Sequence, residues 1–514
     1  MTTTCEFLKN WIANNQNILF SLLAFSIPAG VRSIPQILSG PYPIGFDTIR
    51  YISTIQSGYV FSLGAIGFFK GTNLFYVLAA LPYALSHDAI STMNVLGPLL
   101  LGILSFMIYI YARRLLCWTG WKSLIVAILV SVYFVSLRNS WDLYRQTLGI
   151  IFLLGALVSL KYFPSPRKYY VSSALMALTV LSHELTGVIL FFIVGLQALN
   201  YLVKRSGKEF GSLLICISLP LALFLFQIYS PQTGGVNLPS VAVATAPSVS
   251  LALYIIGLMV FCYAIILPFV FLGLVKLKNS YLLSWILLCL GIPLLEMVDP
   301  NLPLYIWYRW ILLLVYPLMF FFVEGLDRVW RYSRQYKGKV SRLLLKVFVI
   351  SYLLSLLTLS GFYLTTTPEN PFPYFQSSSY YSSIPSSMLQ NSISIKDNPS
   401  VINCFNWVNY NTTKDSALIE HYALYDLAII YVKNHSIISI NQESSTWSTS
   451  QNVTSYIKNL ELSAKAELSD GHNAVYTVWW IEGKGWYGIP NLSTDFKEVF
   501  QSGDMAVYLY DSSV

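Results

Sequence analysis

The chain has 514 residues, of which 55% are hydrophobic, 15% aromatic and only 11% charged, and its mean hydropathy is +0.57. Soluble domains carry about 25% charged residues, so this composition argues against a water-soluble enzyme, a disordered chain and a nucleic-acid-binding protein. The composition instead predicts a polytopic membrane protein. The formal net charge of +8 is unevenly spread, because residues 1–365 hold 25 basic and 10 acidic side chains whereas residues 366–514 hold 7 basic and 14 acidic ones. This difference predicts that the tail is solvated differently from the rest of the chain.

Long apolar runs recur through the first 365 residues. A helix that crosses a bilayer needs ~20 mostly apolar residues, because its backbone polar groups find no water in the hydrocarbon core. About eleven runs approach this length, near residues 16–36, 92–111, 123–137, 146–160, 169–182, 185–203, 211–229, 250–275, 281–297, 310–326 and 343–365.

Lys and Arg residues indicate the orientation of these helices, because positively charged loops stay on the cytoplasmic side. With the N-terminus inside, the inner loops hold 19 basic residues and the outer loops before the tail hold six. This alternation requires that the apolar run 73–86 does not cross, and its 14 residues suit an interfacial segment better than a span. The sequence therefore predicts a cytoplasmic N-terminus, a long first outer loop at residues 37–91 and an extracytoplasmic tail.

The tail opens with a Ser-, Tyr- and Pro-rich linker at 366–399 and continues as a domain at 400–514, following a transmembrane domain at 1–365. Helical and strand patterns alternate in that domain, with helices near 401–410, 424–432 and 453–462 and strands near 417–420, 436–440, 474–480, 496–500 and 505–510. Such alternation is typical of an α/β fold. The predicted fold class is an α-helical polytopic membrane protein with about 11 transmembrane helices and a small C-terminal extracytoplasmic α/β domain.

Six of the ten acidic residues before the tail map to outer loops or outer helix ends, namely Asp47, Asp88, Asp142, Glu184, Glu296 and Asp299. Ionisable groups close to the hydrocarbon core are costly, so a concentration of them on one side points to function. In the first loop, Asp47 follows a Gly- and Pro-rich turn. It is either a carboxylate that binds a metal or accepts a proton from an acceptor hydroxyl, or the cap of a helix that begins at Thr48.

The second outer loop combines Arg138, Asp142 and Arg145. Two arginines beside one acid suit an anionic headgroup, because each guanidinium presents a fork of donors to phosphate. The alternative is a salt bridge between Asp142 and Arg145 at the start of a helix.

Two further outer positions carry polar side chains between apolar runs. The pair His183 and Glu184 is either polar capping of a tight turn or a donor or base directed at a lipid phosphate. Arg309, at the outer end of a span, either extends its charge to the interface or neutralises a phosphate leaving group.

Together with the topology, these residues resemble the multi-spanning lipid-linked glycosyltransferases of the C-type (GT-C) fold, which include protein mannosyltransferases, aminoarabinose transferases and oligosaccharyltransferases. The resemblance lies in the first-loop acid within Gly45–Tyr51, the second acid within Trp141–Gln146, His183, and the stretch from Arg309 to Pro317. It covers the whole chain as topology and single residues. Since the first loop has one acid and the tail lacks the oligosaccharyltransferase acceptor motif, a single-sugar transferase of archaeal or bacterial type is the better match.

The resemblance implies transfer of a hexosyl or pentosyl group from a polyprenyl- or dolichyl-phosphate donor to a glycan, lipid or protein acceptor on the outer face of the cell membrane. It implies that Asp47 and Asp142 are the catalytic acids, or the ligands of a divalent cation such as Mg²⁺ or Mn²⁺. The residues that it implies for donor binding are Arg50, Tyr51, Arg138, Arg145, His183, Glu184 and Arg309. The expected partners are the lipid bilayer and the lipid-linked sugar donor, with no nucleic acid.

Two other classes of protein have a similar composition. One is a transporter or flippase component, in which ionisable groups lie on broken helices near the bilayer midplane, often in repeated halves. The other is an envelope receptor with an outer sensor-like domain. The predicted spans are nearly free of charge and show no repeat, which favours the enzyme.

Overall fold

The computed structural model describes residues 2–164, 166–229, 249–298, 307–335, 338–365, 393, 395–440, 450–481 and 491–511. The chain forms two compact units. We call them the helical unit, made of Met1–Ile34, Tyr59–Leu85 and Val95–Leu364, and the sheet unit, made of Pro35–Gly58, Ser86–Asn94 and Thr365–Val514. The predicted linker, 366–399, lies largely outside the described residues.

Eighteen described helices precede the tail. In chain order they are α1 (Thr2–Ser39), α2 (Phe46–Gln56), α3 (Tyr59–Ser62), α4 (Gly64–Lys70), α5 (Leu74–Ser86), α6 (Ala89–Arg114), α7 (Gly120–Val132), α8 (Phe134–Asp142), α9 (Tyr144–Tyr162), α10 (Arg167–Ser182), α11 (Glu184–Val203), α12 (Gly207–Tyr229), α13 (Val249–Tyr263), α14 (Leu267–Leu274), α15 (Ser280–Val298), α16 (Trp307–Leu313), α17 (Val315–Gln335) and α18 (Lys339–Leu364).

Seven helical segments within the described residues are long and apolar enough to cross a membrane, and two bent helix pairs bring the number to as many as nine. The bent pairs are α7 with α8, at 62°, and α13 with α14, at 82°. The polytopic helical fold is therefore confirmed, and the chain is a multi-pass membrane protein. The predicted number of eleven crossings is not confirmed, since α9 and α10 are not among these segments and α10 has only 16 residues.

The segment of α16 and α17 is central to the helical unit, because 94% of its apolar window is buried inside the protein. Two glycines allow α14 to lie directly against α17. A Cβ atom on Gly273 would lie 1.9 Å from the carbonyl oxygen of Phe321, and one on Gly325 would lie 2.0 Å from that of Phe269. Membrane helices often associate through small residues that permit such close backbone contact.

Ion pairs connect α7 to the far end of α17. Lys122 forms a salt bridge with Glu324 and lies 2.8 Å from a carboxylate oxygen of Asp327. Both acids of α17 are therefore paired with a lysine from another helix.

The sheet unit contains a five-stranded sheet in the order β2-β1-β3-β5-β4. Its strands are β1 (Ala417–His421), β2 (Ser436–Ile440), β3 (Val475–Trp480), β4 (Phe496–Ser502) and β5 (Met505–Tyr510), and its helices are α19 (Asn398–Asn411), α20 (Tyr422–Tyr431) and α21 (Ser450–Ser469). Strands β1, β2 and β3 are parallel, whereas β5 is antiparallel to both β3 and β4. The α/β fold predicted for the tail is confirmed.

Residues of the first predicted outer loop belong to this unit. Helix α2 packs against α20, and Ile49 of α2 is one of the buried hydrophobic residues of the sheet unit's core. The sequence did not predict that part of this loop and the tail form one folded body, because α2 and α20 are separated by more than 300 residues.

Candidate functional site

Asp142 is the last residue of α8 and lies in the interior of the helical unit. Its carboxylate oxygen is 2.6 Å from Nη1 of Arg138, one helical turn earlier, and both residues are at least 95% buried. A buried charge is tolerated only when it is paired, so each residue depends on the other. The salt bridge thus joins Asp142 to Arg138 at the end of α8. The predicted alternative had instead paired Asp142 with Arg145 at the start of a helix.

Arg32 of α1 completes this group, and its side chain is fully buried. Its guanidinium donates to the carbonyl oxygens of Ser140 at 3.1 Å and Trp141 at 2.9 Å, and it lies 4.9 Å from the centre of the Trp141 ring. The last carbonyl groups of a helix lack partners within it, and their partial negative charge favours a cation. Arg32 thus fixes the end of α8 where Asp142 lies.

In the predicted topology Arg32 is one of the six basic residues assigned to the outer loops. The signal that could have revealed it is its position within the apolar run 16–36, since a charged residue there requires a specific partner.

Glu184 begins α11 and lies next to several cations. Its Oε2 is 3.6 Å from Nη2 of Arg145 and accepts a hydrogen bond from Thr72 Oγ1 at 3.5 Å. Arg309, at the start of α16, is close enough for its charge to act on Glu184. Arg145 also lies over the ring of Tyr76, at 5.8 Å.

His183 ends the preceding turn and caps α11. Its Nδ1 accepts a hydrogen bond from the backbone N–H of Leu185 at 3.2 Å, which confirms the capping alternative for this residue. Its Nε2 lies 3.7 Å from Oε1 of Glu184. The imidazole is therefore held by its Nδ1 while its other nitrogen faces the carboxylate.

The group around Asp142 and the group around Glu184 are linked by the break between α8 and α9. Asp142 and Arg145 lie on either side of Leu143, whose backbone is not helical. Together the two groups contain four arginines, namely Arg32, Arg138, Arg145 and Arg309, and two acids, Asp142 and Glu184. The excess of positive charge in a mostly buried environment is complementary to a phosphate.

Asp47, Arg50 and Tyr51 belong to the sheet unit, on α2. This helix begins at Phe46 after Gly45, whose φ of 97° favours glycine, and Asp47 lies in its first turn. The predicted alternative that Asp47 caps a helix beginning at Thr48 is therefore wrong. Tyr51 is buried, whereas Asp47 is half-buried and Arg50 is exposed.

A further acid of the sheet unit, Asp426 of α20, lies close enough to Asp47 and Arg50 for their charges to act on it. Burial raises the pKa of the Asp426 carboxyl, while the Arg50 guanidinium lowers it and the Asp47 carboxylate raises it. Asp426 was not among the predicted site residues, because the first loop and the tail were predicted to belong to separate domains.

Asp88 has a capping role. Its Oδ1 accepts hydrogen bonds from the backbone N–H groups of Ile90 and Ser91, at 3.0 and 3.2 Å, at the start of α6. The hydroxyl of Ser91 also donates to this carboxylate and lowers the pKa of Asp88. Of the other outer acids, Asp299 lies outside the described residues.

A divalent cation at Asp47 and Asp142 stays a prediction. Within the part of the chain that the structure describes, no group of three or more His, Cys, Asp or Glu residues is arranged to hold a metal ion.

The comparisons with known proteins identify the fold. No family model matches the sequence, and no curated protein matches it. Among solved structures, the chain is similar to ArnT from Cupriavidus metallidurans in the apo state, with a TM-score of 0.50 and 10% sequence identity over 99% of this chain and 98% of that one. The predicted GT-C fold is thus confirmed, and it extends over both units.

Proposed function

We propose that this chain is a membrane glycosyltransferase that transfers a sugar from a polyprenyl- or dolichyl-phosphate donor to an acceptor. The observation that carries the proposal is the excess of arginine around Asp142 and Glu184 in the helical unit of a GT-C-like fold. Apolar helices accommodate the lipid part of such a donor, and the buried guanidinium groups complement its phosphate.

Arg145 and Arg309 are the residues that we assign to the donor phosphate. When the bond between the sugar and the phosphate oxygen breaks, its electron pair stays on that oxygen, so the phosphate gains one negative charge. Guanidinium groups already in place stabilise this charge as it develops.

Arg138 and His183 have supporting roles in this proposal. The pair of Arg138 with Asp142 fixes the end of α8, and the imidazole of His183 orients Glu184 beside Arg145. In this proposal Asp142 contributes to donor binding indirectly, by holding the arginines around it in position.

Asp47 is the residue that we assign to the acceptor. A half-buried carboxylate at a helix start is able to take up the proton that an acceptor hydroxyl loses as its oxygen attacks the sugar. The polar side chains of this proposal lie on the outer face if the N-terminus is cytoplasmic, the orientation favoured by 19 basic residues in the inner loops against six in the outer ones.

A transporter is the second candidate, because the bent pairs α7–α8 and α13–α14 resemble the broken helices that transporters place at their binding sites. The two candidates differ in the fate of the donor. A transferase cleaves the bond between sugar and phosphate, whereas a transporter moves the intact molecule across the bilayer.

The test uses the full chain in proteoliposomes with a radiolabelled polyprenyl-phosphate sugar and a mixture of lipid, glycan and peptide acceptors. We expect labelled acceptor with the wild-type chain and at least a hundredfold lower rate with Asp47→Asn, since a general base contributes about 10²–10⁴-fold. Movement of intact donor to the opposite leaflet without cleavage would instead support the transporter. Unchanged transfer by Asp47→Asn would contradict the role given to this residue.

A further inference from the structure

Two buried glutamine side chains lie beside the Arg145–Glu184 pair of the helical unit. Gln146 lies in the first turn of α9, directly after Arg145, and Gln227 lies in the last turn of α12. Gln146 is 99% buried and Gln227 is fully buried. A primary amide carries two N–H donors and a carbonyl acceptor, so burying it without partners is unfavourable.

Gln227 is joined to Glu184 through the segment between α4 and α5. Its Nε2 donates a hydrogen bond of 3.1 Å to the carbonyl oxygen of Gly71, and the next residue, Thr72, donates to Glu184 Oε2 at 3.5 Å. Because the amide nitrogen has to face the Gly71 carbonyl, the amide oxygen of Gln227 points elsewhere. Among the described residues, none donates a hydrogen bond to this Oε1.

Gln146 lies on the side of α9 that faces the start of α11. Gly149 is three residues further along and so shares that face, and a Cβ atom on Gly149 would lie 2.2 Å from Oγ1 of Thr186. Helical side chains incline toward the N-terminus of their helix. Gln146 therefore extends toward the end of α9 at which Arg145 pairs with Glu184. Within the part of the chain that the structure describes, neither its Nε2 nor its Oε1 has a hydrogen-bond partner.

The unmet hydrogen-bonding groups indicate the chemistry of a ligand. Buried polar atoms without partners are rare in folded proteins and lower stability unless a bound molecule supplies the partner. Those of Gln146 are both donors and an acceptor, and that of Gln227 is an acceptor. A phosphate oxygen only accepts and a lipid chain does neither, whereas a hydroxyl group both donates and accepts. Neutral hydroxyl groups are therefore the best match.

We propose that Gln146 and Gln227 bind hydroxyl groups of the donor sugar, beside the phosphate that Arg145 binds. This inference rests on the proposed function. The sugar is covalently joined to the phosphate, so a site for its hydroxyl groups has to adjoin the arginines, and both glutamines meet this condition through their links to Glu184. The substrate class is then a polyprenyl phosphate that carries a neutral, polyhydroxylated sugar.

The experiment measures equilibrium binding of lipids to the full-length chain in nanodiscs. The lipids are bare polyprenyl phosphate and polyprenyl phosphates that carry glucose, mannose, galactose or xylose. We expect wild type to bind at least one glycosylated lipid about tenfold or more tightly than bare polyprenyl phosphate, because two or more net hydrogen bonds amount to such a factor. Equal affinity for all of these lipids overturns the proposal.

Two substitutions remove the amide groups with little change in volume, because Met is nearly isosteric with Gln. We expect Gln146→Met and Gln227→Met each to reduce the preference for the glycosylated lipid about threefold to tenfold, with the affinity for bare polyprenyl phosphate close to that of wild type. Gln227→Met also loses the bond to Gly71, but a smaller fraction of folded protein affects both affinities equally and cancels in their ratio. An unchanged ratio in both variants overturns the proposal.

The matched control is Ser123→Ala. It removes a buried hydroxyl near the start of α7 for which the described residues offer no hydrogen-bond partner. We expect the preference for the glycosylated lipid to stay at the wild-type value in this variant. An equal reduction in Ser123→Ala would show that the effect is not specific to the glutamines and would overturn the proposal.

Thermal unfolding without lipid distinguishes binding from a structural role of Gln146. Because its amide is buried without partners, we expect Gln146→Met to unfold at the same temperature as wild type or at a higher one. An amide that held the fold together would give the opposite result. A lower unfolding temperature together with an unchanged lipid preference shows that Gln146 serves only the fold, and it overturns the proposed contact.

Lipids whose sugar lacks one hydroxyl group test the contact directly. For the preferred sugar, we expect wild type to bind one monodeoxy derivative as weakly as Gln146→Met binds the complete sugar. That derivative loses no further affinity in the variant, because the bonded partner is already absent. Additive losses for every monodeoxy derivative overturn a direct hydrogen bond between Gln146 and the sugar.

Failure of this inference is distinguishable from failure of the proposed function, because binding is measured without turnover. A wild-type chain that prefers a glycosylated lipid, and loses the preference in Gln146→Met, but transfers no sugar to any acceptor contradicts the transferase and leaves the sugar site in place. An active transferase whose glutamine variants keep the wild-type preference overturns only the sugar site.

Discussion

Arg32 in the first span donates a hydrogen bond of 2.9 Å to the carbonyl oxygen of Trp141, and its guanidinium also lies over the Trp141 ring. The residues that it joins are 109 positions apart in the sequence. This contact fixes the end of α8, where Asp142 pairs with Arg138. Arg32 of the first span therefore influences the candidate donor site by holding the backbone of α8 in place.

We expect Arg32→Gln to destabilise the protein and to slow transfer. The variant loses two hydrogen bonds from a charged donor, each worth about 1.5–3 kcal/mol, and leaves the carbonyl groups at the end of α8 without that partner. Arg32→Lys, which keeps the charge but not the fork of donors, recovers only part of the stability. Thermal unfolding in detergent measures the effect, and Arg167→Gln, at an exposed position, serves as the control. Equal unfolding temperatures for Arg32→Gln and the control would refute this role.

Arg145→Gln is expected to weaken donor binding. If Arg145 contacts the phosphate, the loss of one charge-assisted hydrogen bond raises the donor KM by about tenfold or more. Arg145→Lys keeps the charge and gives an intermediate KM. Steady-state transfer rates at varied donor concentration provide the measurement, and a KM equal to that of wild type in both variants would remove Arg145 from the donor site.

Gly325→Ala tests the close contact between α14 and α17. The new Cβ would lie 2.0 Å from a backbone oxygen that cannot rotate away, so the helices must separate. We expect a loss of about 1–3 kcal/mol or more, as in overpacked cores, and a lower yield of monodisperse protein. Gly291→Ala is the matched control, because no heavy atom lies within 4 Å of its Cβ position. If both variants behave alike in size-exclusion chromatography, the contact does not limit stability.

Glu420 makes the stability of the sheet unit depend on pH. Burial raises the pKa of its carboxyl well above the ordinary value, although the backbone N–H of Val478 lowers it. The carboxyl ionises near pH 4.3 in the unfolded chain, so its contribution is fully present below that pH and is lost as pH rises through the raised pKa of the folded state. Because Gln does not ionise, the Glu420→Gln variant does not lose this stability as pH rises.

Hydrogen exchange in β1, corrected for intrinsic rates, measures the predicted effect. We expect the stability advantage of Glu420→Gln over wild type to grow as pH rises from 4 to 8. Burial lowers the pKa of the neighbouring His421 to about 3, so the His421 contribution is present above pH 6.5 and is lost as pH falls. That contribution is common to both proteins and cancels in the difference. A difference that does not vary with pH would show that the pKa of Glu420 is the same in the folded and the unfolded chain.

Local patterns predicted much of this fold. Strands β2, β4 and β5 lie where alternating apolar residues indicated them, and the bounds of Asn398–Asn411 and Tyr422–Tyr431 differ from those of the predicted helices by only a few residues. These elements depend on neighbours in the sequence, so periodicity and turn residues are sufficient to locate them.

Contacts between distant segments were not predictable in the same way. The sequence indicated that Arg138, Asp142 and Arg145 act together, but the pairing of Arg145 with Glu184 and the burial of Arg32 depend on how helices associate. The electrostatic interaction of Asp426 with Asp47 and Arg50 likewise depends on α2 packing against α20. Such partners are separated by 39 to 379 positions in the chain, a distance over which a single sequence carries no periodic signal.

The sheet unit draws residues from Pro35–Gly58, Ser86–Asn94 and the last 150 residues, and this division has a consequence for biosynthesis. A ribosome that adds about 5–20 residues each second completes β5 roughly 20 to 90 s after α2 has been synthesised. Until then α2 has no α20 against which to pack. We therefore expect truncated chains to leave the ribosome without a correctly held Asp47, so that only a fully synthesised protein gains activity.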